Sequence, residues 1–125
     1  MAYQGDGIDW GNATAGADLS SSQYLAVQVA ADGDIEVAAT DGPAIGILQN
    51  EPTENQVAAV RVLGISKATA GAAIDEMVYV GAGTAGKIET ASAASGLEVI
   101  GLSLTAAAAD GDVITILVLP TQETK

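Results

Sequence analysis

The sequence predicts an all-β fold, a small β-barrel or β-sandwich with an extended N-terminal arm. Three observations carry that expectation. Apolar residues recur at alternate positions in short runs, as in Leu25, Val27 and Val29 and again in Ile35 and Val37, and a period of two belongs to a strand with one buried face. The runs are separated by Asp-Gly, Gly-Pro and glycine-rich stretches, which favour turns. No segment carries the spacing of an amphipathic helix; residues 106–109 are four alanines that favour helix by propensity alone, between two strand patterns.

Residues 1–22 stand apart as an arm. They hold Gly5, Gly7, Gly11, Gly16, Asp6, Asp9, Asp18 and three consecutive serines, with few large aliphatics, so they lack the apolar area to fold alone. They also carry Tyr3, Ile8 and the only tryptophan, Trp10. Two readings follow: a disordered tail, or an arm that orders on a partner with Trp10 as anchor and Tyr3 and Ile8 as further contacts.

Residues 23–120 read as the β domain and 121–125 as a polar tail. Between the first two strands lies Ala31-Asp32-Gly33-Asp34. A two-residue turn would pair Val29 with Glu36 and split the apolar sets between faces. A three-residue loop over 31–33 pairs Val29 with Ile35 and Val27 with Val37, so a loop with Gly33 left-handed and a bulge is predicted. Asp41-Gly42-Pro43 is a turn, residues 44–49 a short apolar strand, and residues 50–55 a polar loop. Residues 57–66 form a longer strand apolar on both faces, with Val60 and Val62 on one side and Arg61, Leu63 and Ile65 on the other. Ala70-Gly71 opens a loop. Residues 77–80 and 87–90 are strands around a glycine turn, residues 91–96 a loop, and residues 99–104 and 113–119 the last strands. The unit Ile45-Gly46-Ile47-Leu48, loop, strand recurs as Ile100-Gly101-Leu102-Ser103, loop, strand, and Ala31-Asp32-Gly33-Asp34-Ile35 recurs as Ala109-Asp110-Gly111-Asp112-Val113. Reuse of one such unit fits a compact barrel or sandwich.

Composition narrows the function. The chain has 125 residues, enough for one domain. It is 49% apolar, yet it has no Phe, one Trp and three Tyr, and alanine is its commonest residue. Alanine buries little area, so the core of one chain is thin and help from a partner copy is expected. Arg61, Leu63, Ile65, Leu117 and Leu119 are the candidate oligomer-interface residues, because their strands are apolar on both faces. For Arg61 two readings stand: a solvent-facing, snorkelling side chain, or an ion pair to another chain. With no Cys there is no disulfide, thiolate zinc site or thiol nucleophile, and with no His the usual general base and metal ligand are missing. Sixteen acids face four bases, for a net charge of −12, which repels nucleic-acid phosphates. No apolar run reaches the roughly 20 residues of a membrane span, and Met1-Ala2-Tyr3-Gln4-Gly5-Asp6 does not read as an export signal. The expectation is a protein without cofactor or metal that binds neither nucleic acid nor membrane.

Two motifs invite an enzymatic reading. Gly81-Ala82-Gly83-Thr84-Ala85-Gly86-Lys87 nearly matches a phosphate-binding loop, but Ile88 replaces the hydroxyl that would meet Mg²⁺, and a strand pattern follows where a helix is needed. A glycine-rich hairpin turn is predicted there instead. Asp32 with Asp34, Asp110 with Asp112, and Asp75 with Glu76 do not complete a calcium-loop spacing; turn chemistry accounts for the Asp-Gly pairs.

The order of pieces from residue 44 to 120 resembles the bacteriophage capsid decoration, or cement, proteins. The resemblance lies in Ala44-Ile45-Gly46-Ile47-Leu48-Gln49-Asn50-Glu51-Pro52, Ala59-Val60-Arg61-Val62-Leu63-Gly64-Ile65-Ser66-Lys67, Ala70-Gly71-Ala72-Ala73-Ile74, Gly86-Lys87, Val99-Ile100-Gly101-Leu102-Ser103-Leu104, Asp110-Gly111-Asp112 and Ile116-Leu117-Val118-Leu119-Pro120. It implies a β-tulip-like subunit, not an enzyme, made in the bacterial host cytoplasm and placed on the virion. There it would join the major capsid protein of the expanded head from outside, as a homotrimer, and stabilise the shell, with the N-terminal segment sharing the grip. A phage tail or tube component is the alternative, and a small nucleotide-dependent enzyme using Lys87 a more distant one.

Overall fold

The structure, a computed structural model, describes residues 2–91 and 98–119. Among the described residues nine strands follow in order: β1 (Gly7–Thr14), β2 (Ala26–Val29), β3 (Ile35–Val37), β4 (Gly46–Leu48), β5 (Val57–Thr69), β6 (Tyr79–Ala82), β7 (Ile88–Thr90), β8 (Val99–Ser103) and β9 (Val113–Val118). They form one antiparallel sheet in the order β3-β2-β4-β5-β9-β8-β6-β7, with β1 added to β5. Among the described residues the only helical feature is a 3₁₀ turn, Thr84–Gly86. The all-β expectation holds, and the alanines at 106–109 adopt no helix. The predicted loop at 91–96 lies outside the described residues after Ala91, as do Pro120 and the tail.

The sheet curls at both ends around β5, its 13-residue spine. On one side, β3-β2-β4-β5-β1 returns on itself where Ala15 bridges Ile35 and the Gly16 amide donates to the Ile35 carbonyl at 2.9 Å. On the other, β5-β9-β8-β6-β7 returns where Ala70 bridges Ile88 and the Gly71 amide donates to the Ile88 carbonyl at 2.8 Å. Each half-barrel has its own core. Ala13, Ala15, Leu19, Val27, Ile35, Leu48, Ala58 and Val60 fill the first. Ile74, Val80, Ile88, Ile100, Ile114, Ile116 and Val118, with several alanines, fill the second. Ala26 and Ile47 belong to the second core while their neighbours Val27 and Leu48 belong to the first. Alternation across a pleat thus lets β2 and β4 serve two cores at once. Both faces of β2 and β4 are therefore used inside one chain.

The first hairpin has the predicted register, Val27 opposite Val37 and Val29 opposite Ile35, with Gly33 at φ +90°. Both copies of the repeated unit are built alike. Gly46 on β4 lies so near the Arg61 carbonyl, and Gly101 on β8 so near the Leu117 carbonyl, that neither site has room for a Cβ. β5 runs three residues beyond the expected strand, to Thr69. Residues 1–22 do not behave as one unit: β1 pairs with β5 from Gly7 to Thr14, and Ala13, Ala15 and Leu19 are buried in the first core.

Candidate interaction surface

Side chains directly opposite in an antiparallel ladder share a face. Ile65 on β5 is opposite Leu117 on β9, Leu117 is opposite Leu102 on β8, and Leu102 is opposite Tyr79 on β6. This four-strand apolar row lies outside the second half-barrel, on the face away from Ile116 and Ile114. Ile65, Leu117 and Leu102 are half-buried and Tyr79 is exposed. Exposed Leu63 extends the row along β5, with exposed Ile8 opposite it on β1; half-buried Leu119 follows Leu117. Four of the five predicted interface residues, Leu63, Ile65, Leu117 and Leu119, thus come to one face. Leu102 and Tyr79 were not singled out by sequence. Leu102 lies in the second copy of the repeat, but only the strand register places it beside Leu117.

The N-terminal segment crosses this face. The Tyr3 amide donates to Thr115 Oγ1 at 2.5 Å, and the Thr115 hydroxyl donates to the Tyr3 carbonyl at 2.6 Å. The Gln4 amide nitrogen donates to Gln49 Oε1 at 2.5 Å, and the Lys67 backbone amide donates to Gln4 Oε1 at 2.7 Å. Gln49 in turn donates to Ser66 Oγ at 2.8 Å. The Gly5 amide donates to the Ile65 carbonyl, and the Ile65 amide to the Asp6 carbonyl. Segment 3–12 is thus a strap laid on β5 and β9.

Arg61 is not the solvent-facing side chain of the first sequence reading. It is only 9% exposed, and its partner is Asp9 of the same chain. Its Nε donates to Asp9 Oδ1, and its Nη1 to the carbonyls of Gly5 at 2.9 Å and Ile65 at 2.6 Å. The cation lies beneath the strap, largely out of solvent. Tyr3, Ile8 and Trp10 do not converge. Ile8 pairs with Leu63 and Trp10 with Val60, while the Trp10 indole N–H donates to Asn12 Oδ1 at 2.7 Å. All three side chains are exposed, by 47%, 60% and 38% respectively.

The glycine-rich stretch is a hairpin turn, as predicted. β6 and β7 pair directly around Gly81-to-Lys87, and a strand follows the loop. The Glu89 carboxylate lies against Gly83 and accepts the Thr84 amide at 3.1 Å, so an anion already occupies the backbone donor. Lys87 Nζ is engaged by Asp110 at 2.9 Å. Among the described residues no group of three or more Asp or Glu gathers as a metal site would, and no helix is long and apolar enough to cross a membrane.

The fold defines a class: a curled antiparallel sheet of two half-barrels, presenting an apolar outer row beside a strap. No protein-family model matches the chain, and no curated protein matches it in sequence. A solved structure with this architecture is the head fiber gp8.5 N base in bacteriophage phi29, similar at a TM-score of 0.67 and 17% identity over 94% of this chain and 98% of that one. At that identity the likeness is one of fold.

Proposed function

We propose that the chain is a structural, non-enzymatic component of a bacteriophage head, a decoration protein that binds the major capsid protein on the outside of the expanded shell as a homotrimer and stabilises it. The observation that carries this reading is a fold shared over nearly the full length of both chains with a phage head fiber base. The outer row of Leu63, Ile65, Leu117, Leu102 and Tyr79 supports it, since a contiguous apolar patch marks an interaction site. So does the exposed strap, which displays Tyr3, Ile8 and Trp10. Many copies on one shell gain by multivalency, so no single contact need be strong. Co-sedimentation with purified heads tests the reading: the protein pellets with expanded heads and stays in the supernatant with unexpanded ones. Equal behaviour with both, or no pelleting, contradicts it.

A further inference from the structure

Among the described residues only four polar or charged side chains are buried: Arg61, Ser66, Ser103 and Thr115. Three of them serve the strap. Thr115 holds Tyr3 by two hydrogen bonds, Ser66 braces the Gln49 that holds Gln4, and Arg61 ties Gly5 and Asp9. A buried guanidinium is costly to leave unpaired, so this site is committed to the strap. The hydrogen bonds and the ion pair that fasten the strap come from backbone and polar groups, and Tyr3, Ile8 and Trp10 keep a large part of their surface exposed. The strap's glycines bring the backbone close. A Cβ on Gly5 would meet the Ile65 Cβ at 2.7 Å, and one on Gly7 would strike the Arg61 side chain. Backbone and polar groups hold the strap down while large apolar groups are displayed.

We propose that Arg61 is a positioning residue, a clamp that fixes residues 3–12 on β5 so that Tyr3, Ile8 and Trp10 are each held in place on the strap before any partner arrives. This differs from an arm that becomes ordered only on its partner. A strap already fixed in place avoids the entropy cost of ordering at the moment of binding.

Trp10 is the only tryptophan, so fluorescence excited selectively at tryptophan, beyond the tyrosine absorption, reports the strap alone. The measurement is acrylamide quenching and anisotropy of Trp10 in the wild type, Asp9→Ala, Arg61→Met and Arg61→Lys, each beside a thermal unfolding curve from circular dichroism. In Asp9→Ala and Arg61→Met the quenching constant at least doubles and anisotropy falls, while unfolding stays cooperative. Arg61→Lys falls between them and the wild type, because an ammonium keeps the attraction to Asp9 but lacks the guanidinium fork that spans carboxylate and carbonyls. If Arg61→Met does not fold, Asp9→Ala decides, since the Asp9 side chain is 35% exposed and the Arg61 guanidinium keeps the Gly5 and Ile65 carbonyls as partners. Unchanged Trp10 quenching in folded Asp9→Ala overturns the clamp. Its consequence for shell binding, weaker capture of Asp9→Ala by expanded heads, rests on the function proposed above. The fluorescence test uses no heads, so a failure of the clamp and a failure of that function are read separately.

Discussion

Gly33 and Gly111 sit at φ +90° and +94° with nothing within 4 Å of where a Cβ would stand. Substitution there meets only backbone strain. Gly33→Ala is expected to cost about 1–2 kcal/mol, the penalty of a left-handed L-residue, read as a lower chemical-denaturation midpoint with unchanged slope. Gly46 is a different case, since a Cβ there runs into the Arg61 carbonyl. Gly46→Ala must separate β4 from β5, so it is expected to cost more than Gly33→Ala, about 3 kcal/mol or above. Leu19→Ala, at a site 3% exposed in the first core, is expected to cost about 2–5 kcal/mol through the cavity it leaves. The glycine turn was legible in sequence because only one loop length kept both apolar sets on one face. The role of Arg61 was not, because its partner Asp9 lies 52 residues away and only the β1–β5 ladder joins them.

At the scale of elements, most strands were legible because alternation and turn residues mark them locally. Two features were hidden. The first is β1, whose two glycines, Asp9 and Asn12 look like a tail; it is a strand because the edge of β5 completes its ladder. The second is the division of the core in two. A strand apolar on both faces suggests an interface, yet Ile47 and Leu48 of β4 face separate cores in the same chain. The outer row was half legible. Leu117 and Ile65 stand out on their strands, but their alignment with Leu102 and Tyr79 depends on register across four strands. The β6–β7 hairpin gives a prediction at this scale. The Lys87–Asp110 pair is largely exposed, so Lys87→Ala is expected to change stability by less than about 1 kcal/mol. Mg-ATP is expected to leave the melting temperature of both proteins unchanged; a nucleotide-dependent rise lost in Lys87→Ala would restore the enzymatic alternative.

For the whole molecule, charge and surface act against each other. Three copies at −12 each repel one another, while the apolar row favours covering. Screening weakens the repulsion beyond about 8–10 Å at physiological ionic strength, so the proposed trimer is expected to gain population as salt rises, measured by light scattering at several protein concentrations. Leu102→Glu places a charge in the middle of the row and is expected to shift the protein to monomer at salt where the wild type associates. The most direct test of the central claim is the heat resistance of expanded heads with and without saturating protein. Bound protein is expected to raise the temperature at which heads lose their DNA, with the number of copies bound per head a multiple of three. Heads that break at the same temperature with the protein present in excess would contradict it.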